Sequence, residues 1–340
     1  MSLAGPPGPR PDAVPAPGRA PRAWPRVLGT GALLWVLSVV VTFLTGNTTL
    51  LPTVVLLGSF LVPVTFVAWA FEHLRGNTVT LYLVARAFLV GGLLGVLAAS
   101  LVESYLLAPT VWLYLGVGLV EELAKLLALM LVTRRAFAGG GAERTLADGL
   151  LLGAAVGFGF AALETSGYAF NAMLTMRGLS LGQLVETEIL RGVLAPVGHG
   201  LWTAILGGVV FAASRGGRLR LTGGVVLAYL GVSLLHALWD AMHGIAVVLT
   251  VVLTGTAWQY QLFQLGYVVA PTPLQAHLFT LINWVGLALV ALLGLAWLAR
   301  LRERLPRTSP APGQTPPGPA AGPAPPGPLG PPPNPLGPPA

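Results

Sequence analysis

Polar positions along this chain are confined to short interruptions, and between them run eight apolar stretches of spanning length. They cover about Val27 to Leu44, Leu50 to Phe71, Val79 to Leu101, Thr110 to Val132, Leu146 to Phe170, Val185 to Ala213, Thr222 to Val247 and Leu278 to Arg300. A helix needs about 20 apolar residues to cross a bilayer. The pattern therefore predicts an all-α, polytopic transmembrane bundle of about eight helices over residues 26–304. Two flanks differ in composition. Residues 1–25 and 305–340 are dominated by Pro, Gly and Ala, cannot bury a core, and read as disordered tails. Residues 245–276 read as a re-entrant or surface-lying segment with interfacial Trp258 and Tyr260.

One apolar stretch breaks its own pattern. In Leu115 to Val132, the run GVGLVEELAKLLALMLV carries Glu121, Glu122 and Lys125. Each ionised group near the bilayer centre costs about 2.5 to 3.5 kcal/mol on insertion scales, so three in one helix need a reason. Glu121 and Lys125 are four residues apart and share a face, while Glu122 sits about 100° around the helix, which leaves one carboxyl free for partners elsewhere.

Other predicted helices carry isolated polar residues. The fifth places Gly149, Gly153 and Gly157 on one face, where small residues let a neighbouring backbone approach, and it ends near Glu164. The sixth holds His199 between glycines, after the helix-breaking Pro196. The seventh holds His236, Asp240 and His243 on one face, with an Asp one turn from a His to orient its ring. Counted at about 1.5 Å per residue, Glu121, Glu122, His199 and His236 fall near mid-membrane, with Glu164 and Asp240 in the outer half. Independent structural pairs have no reason to align so; the alignment predicts a buried site that opens toward the outer leaflet.

Composition narrows the reading. Of 340 residues, 54% are hydrophobic and only 9% charged, far from a soluble domain, and the absence of cysteine excludes thiolate ligands and a cysteine nucleophile. The net charge of +7 reflects topology rather than nucleic-acid binding. Fifteen of the 19 basic residues lie in the two tails and in alternate connections, at Arg75, at Arg134, Arg135 and Arg144, at Arg215, Arg218 and Arg220, and from Arg300 to Arg307. The opposite connections hold only Arg177. The positive-inside rule then places both termini in the cytoplasm, as in a multi-pass plasma-membrane protein embedded in the lipid bilayer.

In chain order, EELAK at 121–125, FAALE at 160–164, His199 within GHGLWTA and HALWD at 236–240 resemble the PrsW family of intramembrane proteases. That family is similar to the CAAX prenyl endopeptidases and to bacteriocin-processing and immunity proteins. The likeness covers about residues 110–244, within a catalytic core of 110–247. It implies catalytic roles for Glu121, Glu122, His199 and His236, with Lys125, Phe160, Glu164 and Asp240 in support. It also implies an endopeptidase acting on membrane-anchored proteins, of the kind that begins anti-sigma factor breakdown. Glu164 stands where the prenyl endopeptidases have a histidine, which argues against prenylated substrates.

Two questions of chemistry follow. The first is water activation. A metal-free glutamate mechanism is favoured, with Glu122 as base, Glu121 held by Lys125, and the two histidines orienting water and stabilising the oxyanion. The alternative is zinc held by His199, His236 and Glu122 or Glu164. Against zinc stand the fixed cation of Lys125 and the lack of a visible acceptor for the second ring nitrogen of His199. The second question is class: a proton- or cation-coupled transporter, or a non-proteolytic scaffold or immunity protein, would also bury such residues. A transporter predicts inverted repeats with matching broken helices, whereas the ionisable residues here concentrate in helices four to seven.

Overall fold

A computed structural model describes residues 22–74, 78–108, 110, 112–137, 143–215, 218–267 and 270–305. The two expected tails, with Arg10, Arg19 and Arg307, fall almost wholly outside the described residues, as does Arg75. The described residues up to Arg304 pack as one unit.

Among the described residues the architecture is helical but for one short hairpin. Its helices are α1 Trp24–Thr45, α2 Leu51–Leu74, α3 Leu81–Arg86, α4 Gly92–Leu106, α5 Leu113–Thr133, α6 Leu146–Met173, α7 Leu181–Leu194, α8 His199–Ala212, α9 Gly223–Thr254, α10 Ala257–Gln264 and α11 Pro273–Arg302. A small hairpin of β1 Leu174–Thr175 and β2 Gly178–Leu179 joins α6 to α7. The protein is a multi-pass membrane protein: among the described residues, seven helical spans are long and apolar enough to cross a bilayer. Helix α5, with its three charges, is the eighth long element.

The boundaries depart from expectation where local chemistry overrides apolarity. Helix α1 starts at Trp24, with Pro25 in its first turn, where a missing N–H costs nothing. A π turn, Ala87–Gly91, joins α3 to α4. It lies where α6 approaches most closely, the Phe88 carbonyl facing Gly159 and leaving no room for a side chain. Pro196 does more than kink the sixth span: α7 ends at Leu194, a 3-10 turn covers Ala195–Val197, and α8 begins at His199. The seventh span runs on to Thr254. The segment beyond it forms α10, capped by Thr256 and Gln259 and without a buried residue.

Helix α6 is the hub. Its glycine face works as predicted: a Cβ at Gly149, Gly153 or Gly157 would strike the backbone oxygens of Gly207, Thr203 and His199 in turn, so α8 lies directly against α6. That contact sets the level of His199, the first residue of α8. Polar side chains also tie the outer helices in. The indole of Trp35 on α1 donates to Glu188 Oε2 on α7 at 2.7 Å, across Gly58 of α2.

Candidate active site

The site grows from Lys125. It is fully buried, and it stands three residues from Glu122 as well as four from Glu121. Both spacings bring side chains together on a helix, so one ammonium bridges both acids, 3.0 Å from Glu121 Oε2 and 2.9 Å from Glu122 Oε1. Its third hydrogen goes to His199 Nδ1 at 2.9 Å, and the Phe160 ring lies beneath it at 4.0 Å. An ammonium only donates, so Nδ1 is an acceptor and a neutral His199 carries its proton on Nε2. That nitrogen faces Glu164 Oε2 at 3.1 Å.

His236 is held from three sides. Its Nδ1 donates to Glu122 Oε1 at 3.1 Å, and its Nε2 lies 3.2 Å from Asp240 Oδ2 and 3.6 Å from Glu121 Oε2. The Trp202 ring stacks on it at 4.9 Å, and His199 meets it edge-on at 4.8 Å. Four helices and two rings thus assemble every residue that the sequence singled out as catalytic or supporting. His243 is separate: its ring packs on Phe279, outside the cluster.

Two expectations are corrected. Glu122 finds the partners on other helices that were expected of it, but it is also held by the Lys125 ammonium. Glu122 is fully buried, it accepts from Lys125, His236 and the Thr203 hydroxyl, and it does not reach the cavity. Glu121, 6% exposed, lines a cavity of about 470 Å³, together with Glu103, Glu164, Arg191, His199 and Asp240. Lys125 binds both acids, so the difference between them comes from His236 on α9 and Thr203 on α8, which enclose Glu122 alone. Nor does His199 lack an acceptor on its second nitrogen, since Glu164 supplies one.

Arg191 is a member of this cluster that the sequence reading does not single out. Its guanidinium pairs with Glu164, donates from Nε to the Thr165 hydroxyl at 2.9 Å and lies 4.2 Å over the Tyr168 ring. It holds the carboxyl that holds His199. An arginine inside an apolar run was the signal available for it.

Glu121, His199 and His236 each offer an atom close enough to share one metal ion, all within 4.8 Å of one another. Two imidazoles and a carboxylate suit zinc by type. As arranged they do not fit it: the lone pair of His199 Nδ1 already accepts from Lys125, and the same ammonium rests on Glu121 Oε2. An ion bound about 2.0–2.2 Å from both atoms would share its place with a fixed cation.

Residues 78–270 match the model of a protein family described as PrsW family intramembrane metalloprotease. No curated protein and no solved structure matches the chain.

Proposed function

We infer the reaction from one premise: this chain belongs to the PrsW family, whose matching stretch covers more than half of it, and it is therefore an intramembrane protease. We propose that it hydrolyses peptide bonds of membrane-anchored proteins, anti-sigma factors among them, by a metal-free mechanism with Glu121 as base. The observation that carries this reading is that Glu121 is the carboxyl of the EExxK pair that faces the cavity, while Glu122 is enclosed behind it.

Water in the cavity donates to Glu121 and attacks the carbonyl carbon of the scissile bond as its proton passes to that carboxylate. Electron density moves to the carbonyl oxygen. His199 lines the cavity, and its Nε2–H, directed by Lys125 and shared with Glu164, is the donor for that oxygen. The C–N bond then breaks, and the proton held by Glu121 passes to the departing amine nitrogen. His236, Glu122 and Asp240 do not touch the substrate in this scheme; they fix the ring and carboxylate positions, which general acid–base catalysis requires to within hydrogen-bond reach.

Arginine placement supports both termini in the cytoplasm, and with that orientation Glu164 and Asp240 put the cavity mouth on the outer side, so cuts fall near the outer membrane boundary. The test is to coexpress the protein with tagged single-pass membrane proteins. Cleavage should fall about 10³-fold in Glu121→Gln, within the range for loss of a general base. Cleavage that survives in Glu121→Gln and disappears in Glu122→Gln would return the role of base to Glu122. Metal analysis of the purified active protein decides the remaining choice. Activity without bound metal and unaffected by chelators is expected; stoichiometric zinc that is lost in His199 or His236 variants would overturn the metal-free scheme.

A further inference from the structure

Four carboxyl groups line the catalytic cavity, and three have a basic partner: Glu121 has Lys125, Glu164 has Arg191, and Asp240 has His236. The fourth, Glu103 on α4, has none among the described residues, and its Oε1 atom is buried without a hydrogen-bond partner. The cavity's own cations are committed elsewhere. Lys125 is divided among Glu121, Glu122 and His199, and Arg191 among Glu164, Thr165 and the Tyr168 ring. A carboxyl that lines a cavity without a protein partner is open to a donor that enters that cavity.

We propose that Glu103 is a specificity-determining residue that receives a lysine or arginine of the substrate. The proposal rests on the protease reading above and names what that site selects. A cationic partner fits better than a neutral donor, because charge-assisted hydrogen bonds to carboxylate are about twice as strong. A cavity lined by four acids and a single arginine also repels acidic side chains.

The geometry places the selected residue. Glu103 lies three residues from Leu106, where α4 ends, whereas Glu121 lies eight residues past Leu113, where α5 begins at the same end of the bundle. At about 1.5 Å per residue, their Cα positions differ in depth by about 7.5 Å. An extended chain covers that distance in about two residues, at about 3.3 Å each. The basic residue therefore belongs about two positions from the scissile bond, on the side of the Leu106 end of α4, which is the outer side in the proposed topology.

A reporter series tests this. Tagged single-pass membrane proteins with an Ala- and Ser-rich boundary segment carry one arginine, moved residue by residue, and are coexpressed with the full-length protein. Tag release measures cleavage, and mass spectrometry of the new termini maps the cut. The cut is expected to move with the arginine and to stay about two residues inward of it. Glu103→Gln should lower the preference for arginine over alanine reporters about tenfold, in line with loss of a partly buried charge pair. Glu103→Lys should reverse the preference toward reporters with glutamate, a gain that a misfolded variant would not show. Equal cleavage of arginine and alanine reporters by the wild type, or an arginine preference retained in Glu103→Lys, overturns the proposal and leaves the protease intact. Failure of the wild type to cut any reporter would instead bring down the protease reading and this proposal with it.

Discussion

Helices α6 and α1 are both apolar enough to span a bilayer, yet 83% of the residues in an apolar stretch of α6 are buried inside the protein and only 6% of those in α1. Hydrophobicity is the same signal in both because lipid tails are as apolar as a protein core. The difference lies in shape. Helix α6 spaces Gly149, Gly153 and Gly157 so that the backbone of α8 can lie against it, whereas α1 presents Leu33, Leu34, Leu37 and Phe43 outward. A helix that faces lipid needs only to be oily, while a helix that faces protein must also be complementary.

That comparison can be broken most sharply at Gly153. A leucine there would run into the Thr203 backbone, displace α8 and carry His199 out of reach of Lys125. Overpacking costs about 1–3 kcal/mol and more where backbone must move, so Gly153→Leu should lose both folded yield and cleavage, measured by thermal stability in detergent and by reporter release. Full activity in that variant would contradict the packing of α6 on α8. Arg191→Gln asks for less. It leaves the helices in contact but frees Glu164, and a drop in turnover of about tenfold with unchanged melting temperature is expected, within the 10- to 100-fold seen when an outer partner of a site is removed.

Helix α1 should respond more weakly. Trp35→Phe removes the bond to Glu188 and leaves that buried carboxyl without its donor, for a loss of about 1–3 kcal/mol in stability. The smallest effect belongs to Leu34→Val, on the face that α1 turns to lipid, with a change within about 0.5 kcal/mol by denaturation in detergent. A large loss at Leu34 would mean that another surface covers this face.

Much of the cluster was readable because charge inside an apolar run is costly and therefore informative. Glu121, Glu122, Lys125, Glu164, His199, His236 and Asp240 were each visible as a polar interruption, and the structure joins them all. What stayed hidden were relations across helices. Lys125 reaches His199, 74 residues away, and Arg191 reaches Glu164 across the β1–β2 hairpin. Glu103 falls just past the third predicted stretch, which ends at Leu101, and nothing local says that it faces the same cavity.

The sequence by itself determined the class of the molecule, the number of long apolar elements, the glycine face of α6 and the identity of the ionisable residues, because bilayer energetics and helix period act on neighbours along the chain. Tertiary structure alone decided which carboxyl meets the cavity. Glu121 and Glu122 are adjacent and chemically alike, and their roles diverge only because His236 and Thr203, brought in by α9 and α8, enclose Glu122 and leave Glu121 beside open space. Burial of that kind comes from helices distant in sequence, so no local pattern can carry it.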